Sequence, residues 1–195
     1  MPNPSAAPGV ILETPRLLLR EMTEADVDPL MAVLADPVAM RHYPAPYDRA
    51  GVEAWVRRSR ERYRRDGFGL WTIVLKAGGE VVGDCGPTVQ TLAGAPVIEI
   101  GWHVVPAHQG CGYAGEAGRA CLGWAFAHTD ADRVISFMGT SNTPSRRVAE
   151  KVHARFLGPI EPRAGLPHVA YGTTRADFEA SSPPTASSSE TVTKR

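Results

Sequence analysis

The chain has 195 residues, 43% hydrophobic and 22% charged, which suits one ordinary domain with a sizeable apolar core. Twenty-one basic side chains balance twenty-one acidic ones, so the overall field offers no attraction to nucleic acid or to an anionic membrane. No apolar run approaches the roughly 20 residues of a membrane-spanning helix, and the start lacks the basic and apolar regions of a secretory leader.

Cys85, Cys111 and Cys121 form an odd set without CxxC spacing, so free thiols and a cytoplasmic location are expected. Residues 1–9 are small and broken by proline, and 179–195 are rich in Ser, Pro and Thr. Both ends are expected to be disordered, flanking a single domain over 10–178.

Arg16–Arg20 is a short apolar run that predicts a first strand. Thr23 then stands where an N-cap belongs, with Glu24 and Asp26 in the first turn, and Val27, Leu30, Met31 and Leu34 follow at helical spacing as far as Asp36-Pro37. A second helix over 49–65 turns Val52, Trp55 and Val56 inward. Its arginines at 57, 58, 60, 62, 64 and 65 read as a solvated face, and Gly67 ends it. Trp55, Phe68 and Trp71 read as core, whereas Tyr43 and Tyr47 sit on a Pro-containing loop. Strands are predicted at 70–76, 80–85 and 97–105, the first two joined by Gly78-Gly79. A glycine-rich turn over 110–114 leads into a helix over 116–128. A strand over 133–138, a short helix over 145–152 and a last strand over 169–173 complete an α+β chain with a mixed sheet.

The turn is the most informative segment. Gly110 and Gly112 permit positive φ and close approach to the main chain, and the unpaired N–H groups at a helix start converge where the dipole adds positive charge, which suits a pyrophosphate. No GxxxxGK motif is present. Gly110, Gly112 and Gly115 spell GxGxxG, but the acidic residue a dinucleotide fold needs at the end of the next strand is missing, because 133–138 runs into Gly139-Thr140. A plain strand-to-helix turn remains the bland reading of the same residues. The six histidines have no metal-binding spacing, and no metal is expected.

Gln109-x-x-Gly112-x-Ala114 matches the Arg/Gln-x-x-Gly-x-Gly/Ala signature of the GNAT superfamily. Thr14-Pro15-Arg16-Leu17-Leu18-Leu19-Arg20 resembles the opening strand of its RimJ/RimL-like branch. Ile100-Gly101-Trp102, Glu116-Ala117 and Asn142-x-x-Ser145-x-x-Val148-x-Glu150-Lys151 resemble later motifs, in the family's order, over residues 12–176. The resemblance implies the GNAT fold, a mostly antiparallel central sheet splayed at the cofactor site with helices on both faces. It implies acetyl-CoA as cosubstrate and a primary amine as acceptor, on a protein N-terminus or a small molecule, in a monomer or homodimer. A non-catalytic acetyl-CoA sensor of the same fold is the alternative.

By position the resemblance assigns cofactor contacts to His103, Val104, Val105, Gln109, Gly110, Cys111, Gly112, Tyr113, Ala114 and Asn142. Glu99 is the first candidate for the base, and His103 the second. Strand alternation puts Glu99, Gly101 and His103 on one face and Ile100, Trp102 and Val104 on the other. The late helix lacks the family's tyrosine, leaving Ser145 either as the acid that protonates the thiolate or as a helix cap. Two departures stand out. Cys111 occupies a turn position often held by Lys or Arg, and His153 stands where a glycine is usual, at a helix end that favours left-handed backbone.

Overall fold

The computed structural model describes residues 9–181. The expected disorder at 1–8 and 182–195 falls outside the described residues. Eight strands form one sheet: β1 (Val10–Glu13), β2 (Leu17–Arg20), β3 (Trp71–Leu75), β4 (Val81–Leu92), β5 (Ala95–Val104), β6 (Arg133–Gly139), β7 (Arg155–Arg163) and β8 (Leu166–Thr174). Their spatial order is β1-β2-β3-β4-β5-β6-β8-β7. Every neighbouring pair is antiparallel except β5–β6.

Helices α1 (Val27–Leu34) and α2 (Arg49–Asp66) bury Leu30, Leu34, Val52 and Val56 in one cluster with Met22 and Leu70. Helix α3 (Tyr113–His128) buries Ala117, Cys121 and Ala125 in another, against Leu19, Ile73, Val82 and Ile100 of the sheet. Helix α4 (Thr143–Val152) packs so closely on α3 that a Cβ at Gly118 would lie 2.8 Å from Val152. Cys85 and Cys121 meet in the main core as thiols, 3.7 Å apart.

Thr23 lies at the expected helix entry, where Asp26 accepts from the Thr23 N–H at 2.7 Å and pairs through both carboxylate oxygens with Arg20. That pair ties β2 to the start of α1.

Several predicted boundaries change, each for a physical reason. Strand β4 runs past Cys85 to Leu92, although Pro87 lacks an N–H to donate. Its pairing with β3 ends at Cys85, so beyond that point only the β5 side needs donors. Strands β1 and β7 were not expected. Both lie at sheet edges, and Gly158, Pro159 and Pro162 in β7 are tolerated there with shifts in register. Residues 179–181 belong to a further helix, α5 (Arg175–Ser181), rather than to a disordered tail. Thr174 and Asp177 bond reciprocally at its start, and Arg175 donates to the Phe126 and Thr129 carbonyls at the end of α3.

His153 also departs from expectation. Its backbone is extended (φ −107°, ψ 150°) instead of left-handed, and its ring is buried between Ser136 Oγ (2.8 Å) and Thr173 Oγ1 (3.2 Å). Burial lowers its pKa to about 4. The folded state therefore holds a neutral ring that the unfolded chain protonates near pH 6.5. This stabilisation is complete above pH 6.5 and is lost as pH falls towards 4, reaching about 3 kcal/mol. Denaturant melts between pH 7 and 4 are expected to show this loss, and His153→Gln to remove that part of the pH dependence.

Candidate active site

The site is built where β5 parts from β6. The two strands pair only at Ile98↔Val134 and Glu99↔Ile135. Beyond Glu99, β5 continues to Val104 with β4 on one side and an opening on the other. The expected splay is present, and two cavities meet in it.

The larger cavity, about 550 Å³, is lined by His103, Val104, the turn, the start of α3 and the start of α4. Gly110 and Gly112 have φ of 80° and 86°, in the left-handed region where glycine carries no penalty. From Gly112 to Gly115 no main-chain N–H finds an acceptor among the described residues; the first helical donor is Glu116, to the Gly112 carbonyl at 3.0 Å. Free amides at the head of a 16-residue helix are an arrangement able to cradle an anion. Gln109 acts on the shape of the turn, since its Nε2 donates to the Val104 carbonyl at 2.9 Å and pins the turn to β5.

Charge reinforces the cradle. Arg16, Arg41, Arg119, Arg147 and Lys151 line this cavity, and no carboxylate does. Arg16 reaches across from the start of β2. Glu116 accepts from its Nε at 2.7 Å, its Nη1 donates to the Cys111 carbonyl, and its guanidinium lies over the Tyr113 ring. A guanidinium from 95 positions away in sequence thus stands at the turn beside Cys111, with its charge shared with Glu116. Of the residues assigned to the cofactor, Val105 and Cys111 do not reach the cavity wall. The Val105 N–H is taken by the Val82 carbonyl, and the Cys111 side chain is turned to solvent.

The smaller cavity, about 280 Å³, lies on the α1–α2 face and contains Glu99, Thr88, Gln90, Trp55, Arg62 and Arg163. His42, Tyr43, Trp102, His103, Asn142 and Ser145 border both cavities. Along β5, Ile100 and Val104 enter the main core and Trp102 packs against it, while Glu99 to His103 all border the small cavity, Ile100 and Trp102 included. Burial raises the Glu99 pKa to about 7, against the nearby Arg163 charge and the Thr88 hydroxyl, which donates at 3.4 Å.

Next to Glu99 a hydrogen-bonded chain crosses the cavity wall. His103 Nδ1 bonds to Asp84 Oδ1 at 2.7 Å and Nε2 to the Tyr43 hydroxyl at 2.8 Å, while Trp55 Nε1 donates to Asp84 Oδ2 at 2.8 Å. Burial opposes a charged His103 ring, but the charge and hydrogen bond of Asp84 outweigh it and raise the pKa. Asp84 is fully buried, directly opposite His103 on β4. Its neighbour Gly83 has φ 150°, and a Cβ there would stand 2.0 Å from the His103 carbonyl. Asp84 escaped the sequence reading; the β4–β5 register would have revealed it. Trp55 packs with Tyr47 against the α1–α2 cluster, as read, and also lines the small cavity, whereas Phe68 and Trp71 are core.

Asn142 is the N-cap of α4, accepting from the Ser145 N–H at 3.2 Å, so Ser145 does not serve as the cap. The Ser145 hydroxyl has no hydrogen-bond partner among the described residues and borders both cavities. His42 Nε2 is likewise buried at this junction without a partner.

A family pattern described as "Acetyltransferase (GNAT) domain" matches residues 16–155. The chain belongs to the GNAT acetyltransferases. Protein YkkB of Bacillus subtilis (strain 168) is 34% identical over 150 residues, 76% of this chain and 87% of YkkB. The crystal structure of an acetyltransferase from Agrobacterium tumefaciens str. C58 superposes with a TM-score of 0.74 at 27% identity, covering 89% of this chain and 98% of that one. RimL, a ribosomal L7/L12 alpha-N-protein acetyltransferase solved with coenzyme A, shares the fold at a TM-score of 0.71 and 18% identity, over 87% and 99% of the two chains. Among the described residues of this GNAT enzyme, no helix is long and apolar enough to cross a membrane, and no group of three or more His, Cys, Asp or Glu is placed to hold a metal ion.

Because Asp84 is what raises the His103 pKa, Asp84→Asn is expected to lower it. The His103 ring signals in an NMR titration should change at lower pH than in the wild type.

Proposed function

We propose that this enzyme takes its acetyl group from acetyl-CoA and passes it by direct attack to a primary amine, on a protein N-terminus or a small molecule. The observation that carries the reading is the pair of cavities joined at one wall, a cationic cradle of free amides on one side and a carboxylate with a raised pKa on the other. The residues fit the cosubstrate. Gly110, Gly112, Tyr113 and Ala114 offer main-chain donors to its diphosphate, Arg16 and its neighbours offer charge, and Val104, His103 and Asn142 line the way to the junction. The bound thioester supplies the activated acetyl carbon.

Glu99 takes a proton from the bound ammonium, directly or through water, and the neutral amine that remains attacks the acetyl carbon. Its pKa of about 7 makes it a competent base near neutral pH. As the new C–N bond forms and the C–S bond breaks, Ser145 gives its hydroxyl proton to the departing sulfur and regains one from the amine nitrogen as it becomes the amide. Asp84 and Tyr43 hold the His103 ring from both sides, which leaves neither ring nitrogen free to take a proton from the amine. A protein that only sensed acetyl-CoA would have no use for the second cavity, which favours catalysis. The reading places the enzyme in the cytoplasm, a reducing compartment in which Cys85 and Cys121 stay thiols.

Calorimetry should detect acetyl-CoA binding, and release of free coenzyme A thiol should depend on added amine; absence of both would refute the assignment. With Glu99 as base, kcat/KM rises with pH through about 7 as the carboxylate ionises. Glu99→Gln is expected to remove that limb and lower kcat about 10²-fold or more. Ser145→Ala is expected to lower kcat with little change in the affinity for coenzyme A.

A further inference from the structure

The small cavity holds more positive charge than its own carboxylate can use. Arg62 comes from the middle of α2 and Arg163 from the end of β7, and both line it with Glu99. Neither forms an ion pair with Glu99, whose only side-chain hydroxyl partner is Thr88. Arg163 is held in place, its guanidinium 3.8 Å above the Phe137 ring and one N–H on the Thr91 carbonyl, with further N–H groups left over.

Arg62 differs from the other arginines of its run. Arg57, Arg58, Arg64 and Arg65 are exposed and Arg60 pairs with Glu24, whereas Arg62 is partly buried with no hydrogen-bond or ion-pair partner among the described residues. Burial and the neighbouring Arg58 and Arg65 disfavour its charge, and the Glu99 and Asp66 carboxylates offset this only in part. A guanidinium kept partly out of water without a directly bonded anion is costly, and its planar fork matches a carboxylate. The volume, about 280 Å³, is at the bottom of the range of small-molecule sites.

Resting on the acetyl-transfer reading above, we propose that the acceptor is a small amino carboxylate, with its amine at Glu99 and its carboxylate held by Arg62 and Arg163. The carboxylate takes no part in the chemistry. It fixes the direction of the molecule, so that its nitrogen points at the junction where His42, Tyr43, Asn142 and Ser145 border both cavities.

The test measures acetyl transfer from acetyl-CoA by the full chain to matched acceptors: amino acids, their C-terminal amides, the corresponding simple amines, aminophosphonates and short peptides. Amino carboxylates are expected to exceed their amides in kcat/KM by about tenfold or more, the scale of one charged hydrogen-bond pair. Arg62→Met should shrink that preference towards unity, chiefly through KM, and Arg62→Lys should restore part of it. Calorimetric acetyl-CoA binding by each variant reports that the fold is intact, and Arg163→Met provides a second variant with the same expected loss of preference. The proposal is overturned if amides, aminophosphonates or peptides match or outrun the amino carboxylates, or if the preference survives both substitutions. It is also overturned if acetyl-CoA binds and no amino carboxylate is acetylated, an outcome that leaves the cosubstrate assignment standing. Loss of acetyl-CoA binding by the wild type would instead strike the reading beneath it.

Discussion

Strand β5 is paired with β4 along its whole length and with β6 at only two residues, beyond which a Ser136 hydroxyl still reaches the Ile100 carbonyl, and the site depends on this unequal pairing. The complete side sets the register that places Asp84 beside His103 and Thr88 beside Glu99. The incomplete side leaves the room in which two cavities meet. A β5 paired fully on both sides would close that opening, and a β5 slipped by one residue would send Glu99 and His103 into the apolar core. Catalytic geometry here is a property of strand pairing before it is a property of any side chain.

Electrostatics then sorts the opening into two regions. The larger cavity has cations and free amides with no acid, as a site for a polyanion should. The smaller one has a single acid kept partly neutral by burial, beside a histidine biased towards its charged form by a buried aspartate. Their opposite tendencies come from environment: Glu99 lacks an ion-pair partner, whereas His103 has one at 2.7 Å. Arg16 illustrates how such a balance survives substitution. The turn has no cation of its own at Cys111, but field strength depends on distance in space, and the guanidinium of a residue on another element stands over the same turn.

Much of this was legible in the residues. The helical spacing around Leu30, the glycine turn and the alternation along β5 are local signals, and local physics produces them. Elements at the sheet margins were harder to see, because β1 and β7 take their order from a neighbouring strand and not from their own composition. Proline in β4 misled for a similar reason: a missing N–H matters only where a partner needs it. The reciprocal Thr174–Asp177 bonds were a readable start for α5. Within the site, Glu99, His103 and the turn could be placed from sequence, whereas Asp84, the bridging position of Tyr43 and the exceptional status of Arg62 could not. Those three depend on which side chains meet across elements, and no periodicity reports that.

The contact between α3 and α4 at Gly118 has a consequence for length. The head of α3 bears the anion cradle and the head of α4 bears Asn142 and Ser145, so the span between these two helix starts limits how far a bound molecule must stretch. With no side chain at Gly118, Val152 nests against the α3 backbone and the two helices sit at their closest approach. The pair works as a caliper, and a bulkier residue at that contact would force α4 away from α3 and change the gap between their heads.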